Sequence, residues 1–301
     1  MNTATRRRNP LRPALGACLL LGLLACGSNP PASAPPLLSE QRIAAILASP
    51  DRTAADRTND LRRRPDAMLA FIGIHPGGVA LDVSAGGGYT TELLARAHGA
   101  GGRVYGQSQP RDAARAAPAP AAPEGQSHPS AAASAPVAPP PPVAASAPRT
   151  SAVALAERAA RLRAAGVAAA AIVAVAQRFD DPVPAEVADG KLDLVTLMFN
   201  YHDLGFLGVD RAQMNRRLFL ALRPGGLYVI ADHAGRPGTG ISESGTLHRV
   251  EEAFLRREVE AAGFRLVAEG GFLRNPADPR DRNTPEPPQP KDEFVLKFVK
   301  P

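Results

Sequence analysis

The sequence has no tryptophan, few other aromatic residues and only two cysteines among its 301 residues. Both cysteines, Cys18 and Cys26, lie near the amino terminus. The remainder of the chain therefore has no thiol. This excludes a disulfide framework, a cysteine-based zinc cluster and a thiol nucleophile from any domain that follows.

Long hydrophobic stretches are also scarce. The apolar run from Ala14 to Ala25 is about half the length of the roughly 20 residues that a membrane-spanning helix needs. It follows four basic residues, Arg6, Arg7, Arg8 and Arg12. A basic head, an apolar middle and a small residue at the end are typical of a secretory signal peptide, which we place at residues 1–25.

The end of this run, Leu23-Leu24-Ala25-Cys26, resembles a bacterial lipobox. The resemblance implies that Cys26 becomes the lipidated first residue of the mature chain. Residues 26–38 are rich in Pro, Ser and Ala, as in a flexible tether. We therefore expect an exported lipoprotein that is anchored to a membrane of the cell envelope, on the periplasmic side.

Most of the positive charge belongs to the predicted signal peptide. The formal net charge of the whole chain is +6, and removing the four arginines of residues 1–25 leaves 6 − 4 = +2. No basic stripe interleaved with aromatic residues remains in the mature chain. Nucleic-acid binding is therefore not expected.

From Ser39 onwards the sequence predicts one domain, residues 39–301, with helices at its start. Residues 113–148 interrupt it with a segment of mostly Ala, Pro and Ser, which we interpret as a disordered insertion. Around the insertion, strand and helix patterns alternate, which predicts a mainly parallel sheet covered on both faces. No helix separates the final strands "FRLVAEGGFL" and "EFVLKFVK", so the last strand should run against its neighbours.

Ligands of open parallel sheets bind beyond the carboxyl ends of the strands. The loops predicted there are polar: "DVSAGGGYT", "GQSQP", "FDDP", "FNYHD" and "ADHAGRPGTG". Glycines in the first loop allow a tight turn and a close approach of a ligand to backbone N–H groups. A tight strand-to-helix turn without any ligand is the alternative interpretation of that loop.

The stretch Asp82-Val83-Ser84-Ala85-Gly86-Gly87-Gly88 resembles motif I of the class I S-adenosylmethionine-dependent methyltransferases. The chain is also similar to a bacterial family of exported predicted methyltransferases, through "RFDDP", "NYHD", "ALRPGG", "DHAGRPGTG" and "NPADPRD". The resemblance implies a Rossmann-like, doubly wound, seven-stranded sheet with an antiparallel last strand. It also implies S-adenosyl-L-methionine as the cofactor, and transferase activity towards a small-molecule or envelope acceptor.

Motif I implies several cofactor contacts. Gly86 and Gly88 would bring the backbone against the methionine part of the cofactor, with Tyr89 following. Asp82 would anchor the loop or reach the amino group of the ligand. Ser84 replaces the first glycine of the motif, from which we expect a less strained turn.

The other strand ends supply the remaining implied contacts. Gln107 stands at the end of the second strand, where these enzymes commonly place an acid that binds both ribose hydroxyls; an amide gives up the charge-assisted bond. Asp180 or Asp181 would lie near the adenine. Asn200 follows the fourth strand, beside the transferred methyl group.

Methyl transfer to an alcohol or amine also requires removal of a proton. His202 is our preferred general base, with Asp203 beside it, and His233 at the tip of the fifth strand is the second candidate. His248, which opens a helix, is a third candidate, with a contact at the end of a loop as the alternative interpretation. No local spacing of histidines and carboxylates indicates a metal site, so we predict none.

Three further hypotheses stay open. Residues 56–65 are interpreted as a solvated helix face rather than an acceptor pocket, and residues 234–246 as either a lid or an exposed loop. A non-catalytic envelope lipoprotein that binds a nucleoside-like ligand or a protein partner is the alternative function, because S-adenosylmethionine is made in the cytoplasm. A nicotinamide-dependent oxidoreductase is disfavoured, because Asp82 precedes the glycines within the strand.

Overall fold

The computed structural model describes residues 1–3, 36–110, 149–285 and 288–301. The predicted signal peptide, the tether with Cys26 up to residue 35, and the predicted insertion at 113–148 lie outside the described residues, apart from residues 1–3. The described residues from 36 onwards belong to one compact unit. In the part of the chain described, no helix is both long and apolar enough to span a bilayer.

Helices and strands alternate as the sequence pattern predicts. The strands are β1 Val79–Val83, β2 Arg103–Ser108, β3 Ala171–Ala176, β4 Leu192–Met198, β5 Leu222–His233, β6 Arg265–Gly270 and β7 Glu293–Val299. The helices are α1 Glu40–Ala48, α2 Ala54–Arg63, α3 Pro65–Ile72, α4 Tyr89–His98, α5 Ser151–Ala164, α6 Tyr201–Phe206, α7 Arg211–Ala221, α8 Ser244–Leu247 and α9 Glu252–Ala261. A short 3-10 turn, Ala185–Val187, precedes β4.

All seven strands form one sheet in the order β3-β2-β1-β4-β5-β7-β6. Strands β1 to β5 pair in parallel, whereas β7 is antiparallel to both of its neighbours, β5 and β6. This confirms the predicted doubly wound sheet and its inserted antiparallel strand. The strand order reverses between β1 and β4, and there the crossovers diverge to either side of the sheet.

The core consists of two apolar clusters. Successive residues of a strand point to opposite faces, so Leu81 and Val83 of β1 belong to one cluster while Ala80 belongs to the other. All three side chains are fully buried. Because both faces of the sheet are covered, most strand residues are apolar, and polar side chains occur mainly at the strand ends.

One local expectation was wrong. Residues 201–203, which the sequence pattern assigned to the loop after β4, belong to helix α6. Six residues that include Gly205 are too few to show a helical period of 3.6 residues.

Candidate functional site

A cavity of about 240 Å³ opens at the carboxyl edge of the sheet, between the ends of β1 and β4. It is lined by Asn59, Arg63, Asp82, Ser84, Ala85, Gly86, Gly87, Tyr89, Thr90, Arg158 and Met198. The strand order reverses at this point, which is where open α/β sheets bind their ligands. Four residues that the resemblance implied, Asp82, Ser84, Gly86 and Tyr89, therefore line one cavity.

Asp82 anchors the glycine loop. Its two carboxylate oxygens accept hydrogen bonds from the hydroxyls of Thr91, at 2.6 Å, and Thr196, at 2.8 Å. Burial raises the pKa of Asp82 to about 6, although these two hydroxyls favour the ionised form. Of the two roles left open for Asp82, the structure shows the anchoring one.

Ser84 and Gln107 form one unit, and two expectations about them were wrong. The side-chain oxygen of Gln107 accepts from the N–H of Ser84 at 3.0 Å, and its amide nitrogen donates to the carbonyl oxygen of Gln177 at 2.7 Å. Gln107 is fully buried, so its amide does not face the cavity. Ser84 has a φ of +59°, a left-handed conformation that is costlier for serine than for glycine, so the turn is not less strained.

The glycines that line the cavity are not the pair that we expected, Gly86 and Gly88. Gly86 and Gly87 are exposed and line the cavity. Gly88 is absent from the lining: a Cβ there would lie 2.7 Å from the Leu155 side chain and 2.9 Å from Cδ of Arg158. Gly88 thus permits the packing of α5 rather than the approach of a ligand.

Arg158 of α5 closes one side of the cavity. Its guanidinium binds the carboxylates of Asp56, at 2.7 and 2.9 Å, and Glu92, at 2.7 Å, and also donates to the carbonyl oxygen of Gly87. Asp56 and Glu92 are both buried. Ion pairs between α5, α2 and α4 therefore fix the cavity wall, and no local sequence signal indicated this role for Arg158.

Helix α2 exposes Arg57, Thr58 and Leu61, as expected of a solvated face, but it also contributes to the site. Asn59 and Arg63 line the cavity, and the phenol of Tyr89 donates to Asp60 at 2.6 Å. Asp60 also accepts two hydrogen bonds from Arg52. Burial and Asp60 raise the pKa of Tyr89 above its ordinary range.

Phe199 is a strained residue at the end of β4. Its φ is +59°, which bulky side chains rarely adopt. Its ring lies 5.0 Å from the guanidinium of Arg62 and 4.7 Å from that of Arg63. These cation–π contacts connect α2 to the strand end, and the sequence alone gave no indication of them.

Three other implied cofactor residues do not line the cavity. Asp180 accepts two hydrogen bonds from Arg178, at 2.9 and 2.6 Å, and Asp181 lies 3.3 Å from Arg217. Asn200 donates to Asp203 at 2.8 Å. Asp180, Asp181 and Asn200 therefore have polar partners outside the lining of this cavity.

His202, our preferred general base, is buried between two carboxylates. Its Nδ1 lies 2.6 Å from Asp232 Oδ1, and its Nε2 lies 3.2 Å from Asp203 Oδ1. Burial opposes protonation, but the two carboxylates outweigh it and raise the pKa of His202 to about 10. The raised pKa favours the doubly protonated ring, which has no free nitrogen to accept a further proton.

The other predicted acceptor-side residues lie around His202. Nδ1 of His233 is 3.0 Å from Oε1 of Glu293, and the rings of His202 and His233 are 5.2 Å apart. Nδ1 of His248 is 3.0 Å from Oδ1 of Asp203. His233 is buried, whereas the His248 side chain is 39% exposed, so of these two rings only that of His248 reaches the surface.

Residues 234–246 pack against α6. The hydroxyl of Ser244 donates to the carbonyl oxygen of His202 and accepts from the N–H of Phe206. Ile241 packs so closely on Gly205 that a Cβ there would lie 2.3 Å from it. The segment therefore covers α6, and the loop is held in place at its carboxyl end.

The strand order, with β7 inserted antiparallel between β5 and β6, is that of the class I methyltransferase fold. This confirms the fold that the resemblance implied. The assignment follows from the order and direction of the strands. The acceptor is not identified by the fold.

Comparisons with known proteins found similarity to solved structures. No protein-family model matches the chain, and no curated protein matches it. A SAM-dependent methyltransferase from Aquifex aeolicus has a similar structure, with 13% identity, a TM-score of 0.49, and coverage of 87% of this chain and 99% of that one. A TehB-like SAM-dependent methyltransferase from Corynebacterium glutamicum has 15% identity, a TM-score of 0.43, and coverage of 82% and 99%.

A third similar structure is geranyl diphosphate C-methyltransferase from Streptomyces coelicolor, in complex with Mg²⁺, geranyl diphosphate and S-adenosyl-L-homocysteine. Its identity is 13%, its TM-score 0.47, and the match covers 85% of this chain and 88% of that one. At such identities the similarity concerns the fold and not the ligands.

Proposed function

We propose that the chain is an S-adenosyl-L-methionine-dependent methyltransferase that acts on a small-molecule or envelope acceptor. The observation that supports this best is the position of the cavity. It lies where the strand order reverses, and its lining includes the glycines of the loop after β1. A ligand can approach the backbone there without meeting side chains.

The lining fits the amino-acid end of the cofactor. Arg63 offers a guanidinium, which pairs well with a carboxylate. A Cβ placed on Gly87 would meet no heavy atom within 4 Å, so the backbone is open on that side. When bound, the cofactor would supply a methyl group on a sulfonium, and the chain's task would be to position it against the acceptor.

The nucleoside end of the cofactor would have fewer charged contacts than its amino-acid end. Gln107 is committed to Ser84 and Gln177, so β2 offers no side chain for the ribose hydroxyls at that position. Asp180 is paired with Arg178, whose side chain is 72% exposed, and such a surface pair costs little to open. We therefore infer modest affinity, with Asp180 as the available carboxylate.

Calorimetric titration of the purified chain with S-adenosylmethionine, S-adenosylhomocysteine and NAD tests this proposal. Heat of binding with the two sulfur nucleosides, and none with NAD, is the expected result. No heat with either sulfur nucleoside at millimolar concentration would overturn it. The alternative, a non-catalytic envelope protein, would then account for the fold.

A matched pair of variants places the binding in the cavity. Gly87→Val adds a side chain to the lining, and Gly271→Val adds the same side chain in the loop after β6, where a Cβ also meets nothing within 4 Å. Gly87→Val should weaken nucleoside binding at least tenfold, whereas Gly271→Val should not. Equal affinities would place the ligand elsewhere.

We also propose that the protein is an exported lipoprotein anchored through Cys26, as the lipobox resemblance implies. Metabolic labelling with a radioactive fatty acid tests this in the full chain. The natural protein should carry the label in the membrane fraction, and Cys26→Ser should not. Labelling of both proteins would contradict the proposed anchor.

A further inference from the structure

We propose that His202, Asp203 and His248 form a binding site for one divalent first-row transition-metal ion. One ligand atom from each residue lies within 4.8 Å of the other two. Oδ1 of Asp203 is central: it lies 3.2 Å from Nε2 of His202 and 3.0 Å from Nδ1 of His248. Two imidazole nitrogens thus converge on one carboxylate oxygen.

These separations suit a metal ion. Zinc lies about 2.0–2.2 Å from nitrogen and oxygen ligands, so the ligands of a tetrahedral ion are roughly 3.3 Å from one another. The two measured separations are already close to that value. Only the two histidine nitrogens need to approach each other, and His248 lies at the surface, where its ring has room to turn.

The residues behind the cluster fix the orientation of its ligands. Asp232, which is fully buried, holds Nδ1 of His202, so that Nε2 faces Asp203. Asn200 donates to Oδ2 of Asp203, and Oδ1 remains directed at the two rings. A carboxylate behind a ligating histidine is the usual support of such sites, since it fixes the tautomer and raises the basicity of the ring.

The charges around the cluster favour a cation. Asp203 and Asp232 are two carboxylates that face the one buried imidazole ring of His202. A divalent ion bound by Nε2 of His202 and Oδ1 of Asp203 would neutralise the charge of these two carboxylates.

His248 shows the local strain that is common at functional sites. Its φ is +51°, a left-handed conformation that costs free energy for a non-glycine residue. This conformation places its ring beside Asp203, 5.6 Å from the ring of His202. Because the His248 side chain is 39% exposed, an ion can reach the cluster from solvent.

Ligand chemistry defines the class of metal. Imidazole suits Zn²⁺, Fe²⁺, Co²⁺ and Ni²⁺, whereas Mg²⁺ and Ca²⁺ prefer oxygen ligands throughout. Two imidazoles and one carboxylate therefore select a transition metal. Three protein ligands leave a position open for water or for an oxygen of a substrate, as in catalytic zinc sites.

Zinc binding by the whole chain, without any nucleoside, tests the proposal. The chain is stripped with a chelator, dialysed against ZnCl₂ or MgCl₂ at micromolar concentration, and its metal content is measured. One Zn²⁺ per chain and no Mg²⁺ is the expected result. No zinc retained at these concentrations would overturn the proposal.

Variants separate this site from adventitious binding. His248→Ala and Asp203→Asn should each weaken zinc binding by about 100-fold or more, since even the loss of a residue behind the ligands typically costs 10–100-fold. His75→Ala changes a histidine outside the cluster and should bind zinc as the natural chain does. Equal zinc binding by His248→Ala and His75→Ala would overturn the proposal.

Two further measurements make these outcomes interpretable. Thermal unfolding of the metal-free variants checks that each one folds, and added zinc should raise the melting temperature of the natural chain but not that of His248→Ala. The experiments contain no sulfur nucleoside. A failure of the metal site therefore leaves the proposed methyltransferase activity untouched, and the reverse also holds.

Discussion

The side-chain oxygen of Gln107 accepts a hydrogen bond from the backbone N–H of Ser84 at 3.0 Å, so the end of β2 holds the turn that follows β1. The amide nitrogen of Gln107 donates to the carbonyl oxygen of Gln177 in the loop after β3. One buried amide therefore connects the ends of three adjacent strands. This requires both a donor and an acceptor, which a carboxylate cannot supply.

Gln107→Glu should therefore destabilise the protein instead of creating a ribose-binding acid. The new carboxylate would face the carbonyl oxygen of Gln177 in a fully buried position, at a cost of at least about 2 kcal/mol. Urea denaturation measures this loss. Gln177→Glu is the matched control, because only the backbone of Gln177 takes part in the bond; a stable Gln107→Glu protein with tighter nucleoside binding would contradict our assignment.

Alanine substitutions at Gly88 and Gly87 should differ in their effect on stability. Gly88→Ala places a Cβ 2.7 Å from Leu155 at a φ of +77°, which should cost about 1–3 kcal/mol. Gly87→Ala meets no atom within 4 Å and should change the free energy of unfolding by less than about 0.5 kcal/mol. Thermal denaturation of the two variants checks this, and equal losses would contradict the assigned role of Gly88.

The pKa of Asp82 predicts a pH dependence of stability. Burial raises this pKa from 3.8 to about 6, so the folded state binds the proton more tightly than the unfolded state does. Protonation of Asp82 therefore stabilises the folded state. This contribution is complete below pH 3.8 and is lost as the pH rises through about 6. When the pH is lowered from 7 to 5, the free energy of unfolding of the natural chain should therefore rise by about 1 kcal/mol relative to that of Asp82→Asn.

The measurement is the difference in the free energy of unfolding between the natural chain and Asp82→Asn at each pH. Taking the difference cancels the contributions of the other titrating groups. A difference that stays constant from pH 7 to pH 5 would show that Asp82 is not the group responsible.

Arg249 should be essential to the loops beyond β5. Its guanidinium is fully buried and binds Asp278 as well as the carbonyl oxygens of Ala234 and Arg282. Arg249→Met removes one partner of a buried ion pair, so a loss of about 3–5 kcal/mol is expected. Arg256→Met, which removes an exposed helical pair with Glu260, should cost under about 0.5 kcal/mol, and chemical denaturation compares the two.

Much of the fold was predictable because its signals are local. The apolar runs of β1 and β4 are visible in consecutive residues, and so is the missing helix before β7. Asp82 and Gly86 could be placed at the site for the same reason. The resemblance supplied the strand order, which periodicity alone does not contain.

The rest of the site depends on contacts between distant residues. Arg158 reaches Asp56 across 102 positions of the chain, and His248 reaches Asp203 across 45. Neither separation is one that a sequence motif could reveal. Asp232, which raises the pKa of His202, is likewise 30 residues away from it, so the sequence did not indicate that the two side chains meet.

The contacts of Arg158 also set an order for folding. Contacts that join distant residues form only after the intervening chain has closed, and closure costs entropy. Arg158 binds the carbonyl oxygen of Gly87 across 71 positions, so the cavity wall exists only after α5 has docked. A nascent chain that ends before Ser151 would contain the entire glycine motif and still lack this wall, so motif and binding site are completed at different times during synthesis.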